Sequence, residues 1–426
     1  MVNRTAAPVI KDAIDFHLTL KPYKKFALDN GIEVYTINAG EEDVIQAELV
    51  FFAGNWYEEQ NLVAAATNHL LKNGTGTKTA FEINEHFEYY GSYLNRYCYS
   101  ETATVSLHSL TKHLKELLPV IRELITDADF PEKELDIFRQ NMKQKLEINL
   151  KKPDFIANRL IDEYLYGIDH PYGKYSSVAA YDALQKEQLQ SFYKNYYVNG
   201  RCVIFVAGKL PADIEKQLND SFGSLTVNKK PLPVIAHPVK AATEKKYRVT
   251  NDENGLQGAM RIASHFPNRH HPDFTKAQVV NTLFGGYFGS RLMSNIREDK
   301  GYTYGIHSYM QNHVQDCAWM ISTEAGRDVC EATIAEVYKE MEILRNEPAS
   351  EEELLLVKNY LIGTILGDLD GPFHIIGRWK TIILNELGDD HFYKSINDIK
   401  SITAAEVQAL ANKYLQPEKF YELVVV

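Results

Sequence analysis

Apolar and polar positions along the chain follow two periods, and the periods alternate in the same order twice. Ala47-Glu-Leu-Val-Phe-Phe-Ala53 reads as a strand closed by a turn at Gly54-Asn55. Thr102–His108 alternates as a half-buried strand does. Leu114–Thr126 and Glu331–Arg345 repeat apolar residues three and four positions apart, the period of a helix packed on a sheet. Pro131-Glu-Lys-Glu-Leu135 and Ser350-Glu-Glu-Glu-Leu354 open two more amphipathic helices. Short β-rich runs alternating with longer helices predict an α+β class.

The two halves also resemble each other. Leu135 to Leu354 and Tyr196 to Tyr414 span the same distance to within one position. Each of the helices ending at Tyr196 and Tyr414 runs into a β-type segment, Cys202–Gly208 and Phe420–Val426. A duplication follows, with two homologous domains, each a mainly antiparallel sheet packed with helices. Asn228-Lys-Lys-Pro-Leu-Pro and His237-Pro lack either period and carry prolines and charge, as a linker does. The predicted division is residues 1–228, a linker at 229–242, and residues 243–426.

Composition narrows the function. The 426 residues are too many for one ordinary core. A formal charge of −11 argues against nucleic-acid binding, which needs a basic face. No apolar run approaches the roughly 20 residues of a membrane helix. Arg4, Lys11, Asp12 and Asp15 interrupt any apolar leader core, so a cytoplasmic setting with no membrane partner is expected. The four cysteines are scattered without a C-x-x-C pair, which predicts free thiols.

Two stretches bring a family into view. Gly54-Asn-Trp-Tyr-Glu-Glu59 followed by Leu62–Thr75 resembles the first domain of the inverzincin, or pitrilysin-type, zinc metallopeptidases. The resemblance continues through Gly91-Ser-Tyr-Leu-Asn95, Asp169-His-Pro-Tyr-Gly173 and Tyr196–Gly208. It covers nearly everything from about residue 27 onward. In that family a helix carries H-x-x-E-H, whose histidines, four apart on one face, bind zinc. The glutamate serves as general base on the metal-bound water. The matching positions here are Ala65, Asn68 and His69, and the family's third ligand, a glutamate, falls on Lys145. Alanine has no donor atom, an amide is no base at neutral pH, and an ammonium repels a metal ion. The resemblance therefore implies no metal in this chain.

The second half is similar to the family's other signature. Gly285-Gly-Tyr-Phe-Gly-Ser-Arg-Leu292 is followed by Arg297 and, seven positions on, Tyr304. Gly301 between them predicts a helix that ends there, with Tyr304 on the next strand. In the family such a pair reaches the zinc site and stabilises the charge that develops during peptide hydrolysis. Gly285, Gly286 and Ser290 are the candidate substrate-binding residues. Arg96, where the family commonly has a small residue, is expected to alter or block peptide docking by β-augmentation on the Gly91–Asn95 strand.

A chain with the Arg/Tyr pair but no metal motif resembles one subunit of the bacterial two-chain members, which close like a clamshell. The resemblance implies a heterodimer with a homologous H-x-x-E-H subunit that holds the zinc, with peptides as substrates and this chain inactive alone. The alternative is a non-enzymatic scaffold or peptide-binding protein of the same fold. Several look-alikes carry less weight. Glu85-His86 sits on a helix where the family has no ligands, and His108 and His113 fall on different elements. His270-His271 is a polar loop, and Gly285–Gly289 lacks the spacing of a phosphate loop.

Overall fold

A computed structural model describes residues 11–228, 232 and 234–426. Among the described residues eleven strands form two sheets. The first sheet contains β1 (Lys24–Ala27), β2 (Glu33–Asn38), β3 (Val44–Phe51), β4 (Tyr93–Cys98), β5 (Ala103–Leu110) and β6 (Cys202–Gly208). Its order is β1-β2-β6-β3-β5-β4, so β4 is an edge. The second contains β7 (Lys246–Val249), β8 (Gln257–Phe266), β9 (Thr303–Asn312), β10 (Cys317–Gly326) and β11 (Tyr421–Val425). Its order is β7-β11-β8-β10-β9, so β9 is an edge.

Set side by side, β2, β6, β3, β5 and β4 correspond in order to β7, β11, β8, β10 and β9. The repeat inferred from two helix offsets is thus a repeat of sheet topology. Pairing is antiparallel at β1–β2, β3–β5, β3–β6, β4–β5, β8–β10 and β9–β10. The β2–β6 pair is parallel, so the first sheet is mixed.

Helices cover the sheets where the periods placed them. In the first half, α1 (Val63–Leu70), α2 (Ala80–Tyr89), α3 (Leu114–Asp127) and α4 (Glu132–Asn149) follow in order. Leu117, Leu118, Ile121, Leu124 and Ile125 form the buried stripe of α3. Cys330–Asn346 and Glu351–Gly367 are the counterparts in the second half, the latter capped by the Ser350 hydroxyl, which accepts from the Glu353 N–H. All four cysteines are free.

By contact density the chain divides into two units. The first comprises Lys21–Gly255, Gly371–Thr381 and Leu423–Val426. The second comprises residues 11–20, Leu256–Asp370 and Ile382–Glu422. Of the sequence-predicted linker at 229–242, residues 229–231 and 233 lie outside the described residues. The later segment Gly371–Thr381 joins the first unit through two polar anchors. The Trp379 indole donates to the Lys21 carbonyl at 2.8 Å, and the Lys380 ammonium meets the buried Glu48 carboxylate of β3 at 2.6 Å.

Candidate functional site

The two groups of candidate residues fall one in each half. In the first, Glu58 sets up α1. Its buried carboxylate accepts the Ala64 N–H at 3.0 Å and the Leu62 N–H at 3.3 Å, capping donors that the helix start leaves open. Leu62 itself sits at φ 76°, a left-handed conformation that costs a non-glycine residue about 1 kcal/mol or more. Burial pushes the Glu58 carboxyl up to about 7, although those two N–H groups and Lys174, 3.7 Å away, pull the other way.

The helical repeat then puts Ala65 and His69 together on the exposed side of α1. Asn68 turns inward instead. It is buried and donates to the Tyr197 hydroxyl at 3.1 Å, which occupies its amide in packing. The His69 ring lies 4.8 Å from that of Phe138 on α4. Desolvation, followed by the charges of Arg96, Lys72 and Lys145, holds its imidazole down at about 4. A histidine ringed by three cations stays neutral at physiological pH.

Arg96 is the residue that most changes this face. On β4, Leu94, Arg96 and Cys98 alternate with the more exposed Tyr93, Asn95 and Tyr97. The alternation turns Arg96 toward α1, where its Nη1 donates to the His69 carbonyl. Burial lowers the guanidinium's own affinity for its proton, to about 10. The donor set does not fit zinc: one imidazole, no carboxylate, and cations on three sides. Among the described residues no group of three or more His, Cys, Asp or Glu gathers in a way that could hold a metal.

In the second half the candidate residues converge. Arg297 ends a π-helical turn, Met293–Asp299, and Gly301 at φ 66° reverses the chain into β9. The Arg297 Nε donates to the main-chain carbonyl of Tyr304 at 2.9 Å. Its guanidinium also lies 4.6 Å from the centre of the Phe288 ring. Opposite Tyr304, the β9–β10 register slips between Thr323 and Ala325, and the Thr303 hydroxyl bonds the Glu324 carbonyl at 2.6 Å. This bulge leaves the Tyr304 side chain 100% exposed.

The glycines and serine of the same string serve differently. Gly285 is buried, and a Cβ there would come within 2.7 Å of the Ser308 side chain and 2.8 Å of Leu292. Ser290 is buried, and its carbonyl accepts the Ser294 N–H. Of the three, only Gly286, half-buried, offers surface to a ligand. Sequence reasoning passed over Phe288 and Lys72. Phe288 lay inside the glycine-rich string, where the glycines drew attention. Lys72 had no motif to mark it.

Comparison with known proteins follows the same division. Residues 33–170 match the family model described as insulinase (peptidase family M16), and residues 183–361 match that described as the peptidase M16 inactive domain. The chain belongs to peptidase family M16. The inverzincin resemblance is the same assignment. This M16 chain is 23% identical over 385 residues to the uncharacterized zinc protease YmxG of Bacillus subtilis, covering 85% of this chain and 91% of YmxG. It shares the fold of a peptidase M16 inactive domain from Pseudomonas fluorescens, with TM-score 0.84, 23% identity, and 95% and 98% of the two chains covered. It also shares the fold of the periplasmic protease PqqL from Escherichia coli, with TM-score 0.77 and 14% identity, spanning 100% of this chain and 48% of PqqL. No helix among the described residues is long and apolar enough to cross a membrane.

Proposed function

We propose that this M16 chain is the metal-free subunit of a two-chain zinc peptidase. A homologous partner bearing H-x-x-E-H supplies the zinc, the water and the general base, and this chain supplies Arg297 and Tyr304. The observation that carries the reading is the asymmetry between the halves. The metal positions hold Ala65, Asn68 and Lys145, while Arg297, on the helical turn before β9, reaches Tyr304 on that edge strand and the phenol stays exposed.

The chemistry asked of the pair is modest. As a carbonyl carbon becomes tetrahedral its oxygen gains negative charge, and a guanidinium and a phenol donate to it. Each donor placed in advance is worth about 2.7–4 kcal/mol in such a site. Arg297 is braced at its Nε by the Tyr304 carbonyl, and of its terminal nitrogens Nη1 lies 3.9 Å from the Glu298 carboxylate, a long contact that a substrate carbonyl can replace. Of Gly285, Gly286 and Ser290, half-buried Gly286 is the one able to line the peptide. The same proposal includes a cytoplasmic setting, which cell fractionation checks.

The test is hydrolysis of an unstructured peptide by this chain, by the partner, and by the mixture, with zinc measured on each. Activity confined to the mixture, with zinc confined to the partner, supports the reading. Hydrolysis by this chain alone would overturn it. A mixture with no more activity than the partner alone would instead favour a non-enzymatic scaffold.

A further inference from the structure

The face that the family uses for a metal ion is, in this chain, lined by cations that form no ion pair among the described residues. Arg96 from β4 spends Nη1 on the His69 carbonyl, and its Nε is buried without a hydrogen-bond partner. Lys72 just beyond α1 and Lys145 on α4 both act electrostatically on His69. Neither makes an ion pair or a hydrogen bond among the described residues, and Glu88 on α2 is the one acidic residue acting on Lys72. Elsewhere in this acidic chain basic side chains commonly have partners: Lys78 with Glu123, Arg291 with Glu353, Lys380 with Glu48. Three gathered cations without a counter-ion repel one another, and the arrangement is relieved when an anion enters.

The surroundings say what kind of anion fits. Ala65 keeps the face of α1 open beside exposed His69, so the cations are reached from solvent. Arg96 stands on the edge strand β4, whose Tyr93 and Tyr97 side chains are 71% and 43% exposed, with Tyr99 just beyond the strand at 57%. An edge strand accepts an extended peptide as an added strand, and exposed tyrosines give such a peptide rigid apolar contact. A small inorganic anion uses neither feature.

We infer that the degenerate metal position is a carboxylate-receiving site, in which Arg96, Lys72 and Lys145 around His69 take up a terminal or side-chain carboxylate of a peptide laid along β4. The inference rests on the peptide-handling reading above but not on the partner. It makes the former metal face select for charge on the peptide and not for its cleavage.

Fluorescence anisotropy with the isolated chain tests this. The probes are a labelled, unstructured Gly/Ser/Ala/Val heptapeptide with a free C-terminus, its C-terminal amide, and the amide with one internal Glu. The free acid is expected to bind about tenfold or more tighter than the amide. Recovery of affinity by the internal Glu identifies a side-chain carboxylate as sufficient. Arg96→Gln should cut the acid-over-amide ratio to about threefold or less. Lys145→Gln, at an exposed position that leaves the fold intact, should lower the ratio in part. Equal binding of acid and amide, no binding of any probe, or full discrimination retained in both variants would each overturn the inference. So would inorganic phosphate that binds without displacing the peptides. An inactive mixture with intact discrimination in the isolated chain would count against the partnership alone.

Discussion

Arg297 holds Tyr304 by its main-chain carbonyl, 2.9 Å away, and leaves the phenol of the same residue fully exposed. The relationship fixes where the tyrosine stands without using its hydroxyl. It also separates the effects of substituting the two residues.

Tyr304→Phe removes one donor and no packing. In the mixture with the catalytic partner, kcat should fall about 10²–10³-fold. The melting temperature of this chain should not move, because the lost hydroxyl is wholly solvated. Arg297→Lys keeps the charge but lacks the planar fork, so it should lose activity comparably. Steady-state rates paired with thermal melts check both; an unchanged kcat for both variants would remove the pair from the mechanism.

Rebuilding the metal motif should require four changes, not two. Ala65→His with Asn68→Glu restores the helix but leaves Arg96 and Lys145 beside it, and zinc should bind below stoichiometry. Adding Arg96→Ala and Lys145→Glu should bring the content to about one zinc per chain, measured by elemental analysis after dialysis. Tight one-to-one binding by the double variant would show that the cations are no barrier.

His69 and Glu58 give opposite pH slopes. The His69 imidazole is held at about 4 against an ordinary 6.5, so between these values the unfolded chain binds a proton that the folded chain refuses. Its contribution is full above pH 6.5 and is lost as pH falls toward 4. Replacing it, as in His69→Phe, should flatten the acid side of a plot of urea midpoint against pH.

Glu58 runs the other way. Its carboxyl is raised from 4.5 to about 7, so its contribution is full below 4.5 and declines as pH rises to 7, by at most about 1.4 kcal/mol per pH unit. Glu58→Gln keeps an oxygen for the Leu62 and Ala64 N–H groups. It should remove that decline and leave the variant relatively more stable at pH 8 than at pH 5. Parallel urea curves for variant and parent across this range would refute the assignment.

Lys380→Met strands the buried Glu48 carboxylate and should cost about 3 kcal/mol. Adding Glu48→Gln should recover most of the loss. Chemical denaturation of the single and double variants gives the coupling directly.

Much of this was legible in the chain. The strands at Ala47 and Thr102, the helices at Leu114 and Glu331, and the turn at Gly301 follow from local periodicity, and the structure keeps them within a few residues. Ala65, Asn68 and Lys145 at the motif positions are residue identities, read from the sequence without the structure. What stayed hidden depends on contacts distant in sequence. No local pattern marks the parallel β2–β6 pair or the return of Gly371–Thr381 to the first unit, because pairing and docking are set by partners far away. From the sequence, Arg96 is expected to alter or block docking. Its bond to the His69 carbonyl, and the company of Lys72, emerge only when β4 and α1 are packed.

The Lys380–Glu48 pair joins residues 332 positions apart. At synthesis rates of about 5–20 residues per second, Glu48 leaves the ribosome roughly 20–60 s before its counter-ion is made. Through that interval the first sheet lacks the segment Gly371–Thr381, and the Glu48 carboxylate on β3 keeps its water. The carboxylate that ends in a buried ion pair is therefore, until Lys380 is made, without that partner.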